Sequence, residues 1–361
     1  MVVLNFSLYG GCKTPPALPS ASHMDLLCTK HVGEESAVPL SLAIPDLPGR
    51  AGTQLLFHAY WEGPLSEHAF ISLVSCYYFN VATAGVEGRR IIVWTDDVAA
   101  SSSGELGRLA LRYVEFRQFD LLGEAQSTPM RRNMAASICM CTRNPVYFTD
   151  TVRYILLYNY AGVWFDLDTL FLRPFDGLLL AFPRPFVYSY PANLDCPNGA
   201  IYYSPSPRHP LMGAAFEYVL RKGIQFDFYQ GRLNYDTPMP LLVLPGYWFD
   251  AGFFYNAEAF KLTDFFEADA MHGNGSSAPP ASALTTFGSF KPGAFAYHWH
   301  RPRRAVKAHQ TSAYSQLRRE LCKQCLCRAP RAAAKSGPTS STGASVELCR
   351  VVRRSRKAHA G

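Results

Sequence analysis

The sequence predicts an α/β fold, a mixed and mostly parallel sheet flanked by helices, with disordered N- and C-terminal extensions. Two stretches carry this reading. From Gln54 to Asp97 an apolar strand, a helical segment and a second apolar strand follow one another, and over about 40 residues that is a βαβ unit with a parallel pair. From Thr149 to Pro174 the chain reads TDTVRYILLYNYAGVWFDLDTLFLRP, and its apolar period changes from helical to two around a glycine. At 48% hydrophobic and 14% aromatic residues, the chain has ample material for a sizeable core.

Residues 1–50 are rich in Pro, Ser and Gly without a sustained period, which predicts a poorly ordered extension. Gln54–Trp61 is the first strand. Ser66–Asn80 is helical, with Ala69, Leu73, Cys76 and Tyr77 on one stripe. Arg90–Asp97 begins as a nearly all-apolar strand, as expected for one buried on both faces. Tyr113–Arg117 fits a third strand. In the long run, Val152, Ile155, Leu156 and Tyr160 form the buried face of a helix, with Thr149 as N-cap and Gly162 as its stop. Asp150, Arg153 and Leu157 share another face. Val163–Asp168 is then a strand, with Trp164, Asp166 and Asp168 pointing to one side. Further on, Phe186–Tyr190 and Gly199–Tyr203 read as strands flanking Asn193–Gly199. His209–Gly223 reads as a helix and Ala294–His300 as the last ordered element. Gly273–Ser282 reads as a flexible loop. The domains expected are an extension (1–50), a body (51–300) and a basic tail (301–361).

Charge follows that division. The tail carries 15 Lys/Arg against Glu320 and Glu347, and the body is mildly acidic, so the overall +7 describes neither part. A basic tail suggests contact with a membrane surface; no DNA- or RNA-binding motif lies in the body, and no nucleic-acid partner is expected. The ten cysteines fix no pairing, and Cys322, Cys325 and Cys327 lack a second pair at zinc-finger spacing. Neither a transmembrane run nor a convincing signal peptide is visible.

The chemistry concentrates in the two acids. Carboxylates at i and i+2 of an extended segment lie roughly 6.6 Å apart at Cα on one face. They end an apolar strand, where an open sheet holds its ligands. Such a pair suits Mg²⁺ or Mn²⁺ with a diphosphate completing the shell. The bland alternative is a pair of surface aspartates. An EF-hand is excluded by Leu170 and Phe171.

The pattern T-D-x-x-R-Y-x-x-L, then A-G-x-W-x-D-x-D, from Thr149 to Asp168, resembles the sugar-binding region of DXD-containing glycosyltransferases. These are GT-A-fold enzymes of the family 32-like kind, related to α-1,4-galactosyltransferases, α-1,6-mannosyltransferases and glucosylating toxins. Ala161 stands where the family has the first of two glycines. The resemblance covers roughly Leu55–His300. It implies a metal-dependent transferase that moves a hexose from a UDP- or GDP-sugar to a hydroxyl of a glycan, glycolipid or protein, with retention of configuration. It implies Asp166 and Asp168 as Mn²⁺ (or Mg²⁺) ligands, and Asp150 and Arg153 at the donor sugar. His58-Ala59-Tyr60-Trp61 resembles the first-strand H-x-x-W, which implies stacking of the base on Trp61 and main-chain bonds at Tyr60. Asp96 and Asp97 fall at the end of the second strand, as structural or nucleotide-side acids. Asn198 falls at a sugar- or acceptor-side position, His298 at that of a third metal ligand, with His300 second to it, and Asp250 near the donor loop. By resemblance the location is the Golgi or secretory-pathway lumen, with the cytoplasm as the alternative. The rival readings are an inactive nucleotide-sugar-binding protein of the same fold and a nucleic-acid-binding protein acting through its tail.

Overall fold

The computed structural model describes residues 44, 54–82, 88–134, 145–190, 193–222, 241–250, 293–299 and 312–327. His300, the 273–282 loop and most of both extensions lie outside these residues.

A seven-stranded sheet forms the middle layer, in the order β3-β2-β1-β4-β7-β6-β8. Its first half is parallel: β1 (Leu56–Tyr60) lies between β2 (Arg90–Thr95) and β4 (Gly162–Phe165), and β3 (Glu115–Gln118) adds outside β2. β7 (Asn193–Ser204) reverses direction against β4 and against β6 (Phe186–Tyr190), and β8 (Leu242–Leu244) runs parallel to β6. This is the mixed, mostly parallel sheet expected. A separate ribbon pairs β5 (Thr169–Phe171) antiparallel with β9 (Ala296–His298).

The strands alternate between two cores. Phe57, Ala59, Ile91, Val93, Val163 and Phe165 face one; Ile92, Trp94, Trp164 and Tyr202 face the other. The first is covered by α1 (Glu67–Tyr77), capped by Ser66 Oγ accepting from the Ala69 amide at 3.2 Å. The second is covered by α5 (Pro145–Tyr160) and α7 (Pro210–Lys222). Between them in the chain come the short helices α2 (Val98–Ser102), α3 (Gly104–Ala110) and α4 (Leu121–Gln126). α6 (Asp176–Ala181) follows β5. None of the described helices is long and apolar enough to cross a membrane.

The structure corrects several local expectations. Thr149 is not an N-cap, because the helix already begins at Pro145, a residue suited to the first helical turn. The strand after it ends at Phe165, and the two acids lie in a turn closed by Thr169 N donating to Asp166 O at 3.0 Å. β7 runs for 12 residues, so Asn198-Gly199 lies within a strand. Finally, α8 (Ala313–Cys327) falls inside the expected disordered tail. Its buried Tyr314, Leu317 and Leu321 join the first core, and Arg318 pairs with Glu67 of α1. The ordered chain therefore extends past the boundary expected at 300.

The helix-to-strand passage before the acids is tightly built. Helix α5 ends at Tyr160, and Ala161 takes a left-handed φ of 59°. Gly162 follows at φ 94°, with its Cα so close to β1 that a Cβ would lie 2.2 Å from the Leu56 carbonyl oxygen. Gly162 is thus the first strand residue rather than the helix stop, and Ala161 makes the turn. The buried His58 secures it: Nε2 donates to the Ala161 carbonyl at 2.9 Å, and Nδ1 accepts from Trp94 Nε1 at 3.1 Å. This neutral tautomer satisfies both ring nitrogens, and burial lowers its pKa to about 4.

Candidate active site

Asp166 and Asp168 leave the C-terminal end of β4, one strand from the end of β1. The turn that holds them is fixed on both sides. Before it, Asp166 N donates to Ala200 O of β7 at 2.8 Å. After it, β5 is fastened to α1: Ser72 Oγ donates to Thr169 O at 2.6 Å, and Ser75 Oγ accepts from Phe171 N at 3.1 Å. β9 lies against the other edge of β5 and places His298 opposite Thr169.

These constraints bring three possible ligands together. One atom each from Asp166, Asp168 and His298 lies within 4.8 Å of the others. His298 Nε2 is 3.2 Å from Asp168 Oδ1. Two carboxylates and one imidazole within that span fit a divalent ion. Burial alone would lower the His298 pKa; the carboxylates of Asp168, Asp250 and Asp166 outweigh it and raise it to about 9. The imidazole therefore sits in a strongly negative field of the kind that receives a cation.

The acids face a cleft of about 180 Å³. Tyr60 and Trp61 line one side of it, and Thr149, Trp164 and Leu167 the rest. Trp61 is half-buried, its amide bonded to Trp94 O at 2.9 Å and its indole N–H to Pro64 O at 3.1 Å. The Tyr60 ring stands edge-on to Phe148 at 5.5 Å and to Phe119 at 6.0 Å, and its hydroxyl donates to Glu62 at 3.0 Å. Aromatic side chains and carboxylates lining one cleft match a ligand with a flat base and a charged diphosphate.

Asp150 and Arg153 sit behind this lining. Arg153 donates to Asp166 Oδ1 at 3.1 Å and pairs with Asp150 Oδ1 at 3.1 Å, its side chain 5% exposed. Its guanidinium lies over the Trp164 ring, 5.3 Å from the centroid, while Trp164 Nε1 donates to Asp166 Oδ1 at 2.7 Å. Asp166 is thereby held by two donors while Asp168 turns toward His298. Asn198 is not among the residues lining the cleft, and its side-chain oxygen accepts from Ala200 N at 2.8 Å. Asp97 caps α2 by accepting from Ala100 N at 2.9 Å, which supports the structural reading of that acid. Asp250 lies behind His298, fully buried, rather than in the lining.

Several participants were not legible as site residues. Phe148 lies just upstream of the expected helix start. Ser72 and Ser75 sit in an otherwise apolar helix. Tyr188 belongs to an apolar strand that reads as core, yet its hydroxyl is 2.7 Å from His298 Nδ1.

The family described as "glycosyltransferase sugar-binding region containing DXD motif" matches residues 74–182. No curated protein matches the sequence. Among solved structures, the galactosyltransferase LgtC in complex with donor and acceptor sugar analogs is 11% identical, with a TM-score of 0.42 over 80% of this chain and 99% of its own. The apo form of mouse xyloside xylosyltransferase 1 is 12% identical, with a TM-score of 0.39 over 68% of this chain and 97% of its own. The PaToxG glycosyltransferase is 11% identical, with a TM-score of 0.36 over 54% of this chain and 73% of its own. Likenesses at these scores assign no residue here. The matched stretch, 74–182, contains the D-x-D sequence Asp166-Leu167-Asp168 and is similar to the sugar-binding region of DXD-containing glycosyltransferases.

Proposed function

We propose that the cleft binds a nucleotide-diphosphate hexose, a UDP- or GDP-sugar, and that the protein transfers the hexose to a hydroxyl of a glycan, glycolipid or protein acceptor with retention of configuration. The observation that carries this reading is the convergence of Asp166, Asp168 and His298 beside a cleft that Trp61 and Tyr60 also line. Asp166, Asp168 and His298 would hold a divalent ion, Mn²⁺ or Mg²⁺, which when bound would supply positive charge against the diphosphate leaving group. The protein side of the work is positioning. Trp61 offers a face to the base. Arg153 and Trp164 fix one Asp166 oxygen, so the DXD turn does not rearrange when a charged ligand arrives. By the family resemblance, Asp150 and Arg153, buried beside the cleft, would hydrogen-bond the sugar hydroxyls. Attack would come from the acceptor hydroxyl on the face the leaving group departs from, as retention without a carboxylate nucleophile requires. A Golgi or secretory-lumen location follows from the family resemblance alone and is part of the same proposal.

The test is nucleotide release from UDP-galactose, UDP-glucose, UDP-N-acetylglucosamine and GDP-mannose, with and without Mn²⁺. One donor should be turned over only with metal, and Asp168→Asn should abolish it. Full metal-dependent turnover in that variant refutes the metal role. Tight donor binding without turnover supports the inactive-binder reading instead.

A further inference from the structure

His298 is approached from two sides. Its Nε2 faces Asp168, and behind the ring two buried groups face Nδ1. Tyr188 Oη, from the middle of β6, is 2.7 Å away. Asp250 Oδ2 is 3.9 Å away. Both residues have 0% exposure. The backbone holds the three in register: His298 N donates to Phe249 O at 2.8 Å, Asp250 forms an antiparallel bridge with Tyr297, and Asp250 N donates to Gly246 O at 2.7 Å. Three separate pieces of chain therefore meet at one imidazole. An imidazole binds a metal through an unprotonated nitrogen, so the ring proton must sit on the other nitrogen and be received there. A carboxylate or hydroxyl behind the ring fixes that tautomer, stops ring rotation and raises the basicity of the ligating nitrogen.

We propose that Tyr188 and Asp250 are positioning residues that hold His298 with Nε2 aimed at the DXD turn, and so set the metal affinity of the site. This rests on the metal reading above. Tyr188 Oη receives the Nδ1 proton at hydrogen-bond distance, and Asp250 supplies the negative charge that favours keeping it there. Neither residue lines the cleft.

The experiment is Mn²⁺ titration, by calorimetry and by the electron paramagnetic resonance of free Mn²⁺, of the full chain without nucleotide. The proteins are wild type, Asp168→Asn, Asp250→Asn, Tyr188→Phe, His298→Ala, and each of the two positioning variants combined with His298→Ala. Near-UV circular dichroism checks that each variant is packed. The expected result is a weakening of Mn²⁺ binding by about 10–100-fold in Asp250→Asn and in Tyr188→Phe, with no further weakening when His298 is already alanine. An equal loss in both backgrounds would show general structural damage and overturn the inference. If Asp250→Asn does not fold, Tyr188→Phe alone decides, since it removes one oxygen and keeps the ring. Mn²⁺ binding that Asp168→Asn abolishes but both positioning variants leave intact overturns this inference alone. A wild-type protein that binds no Mn²⁺ overturns the metal reading and this inference with it.

Discussion

Gly162→Ala is the substitution that the turn before the acids tolerates least. Two costs add. At φ 94° an alanine pays the left-handed penalty of about 1–2 kcal/mol. Its Cβ would also lie 2.2 Å from the Leu56 carbonyl oxygen and 3.0 Å from the carbonyl carbon. Those are backbone atoms of a central strand, so no rotamer change relieves the contact; β1 or β4 must move, at the roughly 1–3 kcal/mol typical of overpacking. The sum is about 2–5 kcal/mol, a large share of the roughly 5–15 kcal/mol that holds a domain folded. For a body of this size the expected fall in Tm is on the order of 10 °C, measured by differential scanning calorimetry. The shift should be accompanied by weaker Mn²⁺ binding, because Asp166 leaves the same strand. Ala161→Gly should act in the opposite direction. It relieves the strain at φ 59°, less the entropy glycine adds to the unfolded chain, for a gain of about 0.5–1 kcal/mol. A Gly162→Ala protein melting within about 1 °C of wild type would show that residue 162 does not approach the Leu56 carbonyl closely.

Three further outcomes follow from the structure. His58 is neutral in the fold with a pKa near 4 against an ordinary 6.5, so the unfolded chain binds more protons between those values; stability is complete above about pH 6.5 and should fall by about 3 kcal/mol as pH drops toward 4, a slope that denaturant titrations of His58→Gln should lack. Asp176→Ala should cost about 3–5 kcal/mol by leaving Arg89 buried and unpaired, since Arg89 NH1 donates to Asp176 Oδ2 at 3.0 Å and both side chains are at most 5% exposed; a chemical-denaturation midpoint equal to wild type would count against that pair. Trp61→Ala should raise the KM for the donor about tenfold with a smaller change in kcat, because base stacking contributes about 1–3 kcal/mol to binding; steady-state kinetics with an unchanged KM would remove the base from that position.

The sheet was legible because its strands are apolar enough to be recognised without partners. Arg90–Thr95 reads as a strand buried on both faces, and Ile91 to Trp94 are each 2% exposed or less. The acids were legible as a pair, but not their geometry. A period of two continues through Asp168 in the sequence, whereas the chain turns after Phe165 because Asp166 N bonds β7 and Thr169 must pair with β9. Those partners come from far along the chain, and local pattern does not contain them. Tyr188 illustrates the same limit. In FVYSY it is one more aromatic, and only the fold turns its hydroxyl to His298. α8 was missed because basic residues dominate the composition around it, hiding the stripe of Tyr314, Leu317 and Leu321. The expectations for His300 and the loops lie outside the described residues.

The β5–β9 ribbon has a consequence for how the protein is made. Its two strands come from distant parts of the chain, and 110 residues separate Tyr188 from the histidine it contacts. During synthesis the parallel half of the sheet can assemble while β9 and α8 are still inside the ribosome, since strands β1 to β4 need nothing downstream of β4 to pair with one another. Closing the ribbon is then a late, long-range event, entropically costly and slow compared with local pairing. A bound cation would reward that last step and no earlier one, so metal supplied during refolding should increase the yield of native protein by trapping the closed ribbon rather than by speeding the formation of the sheet.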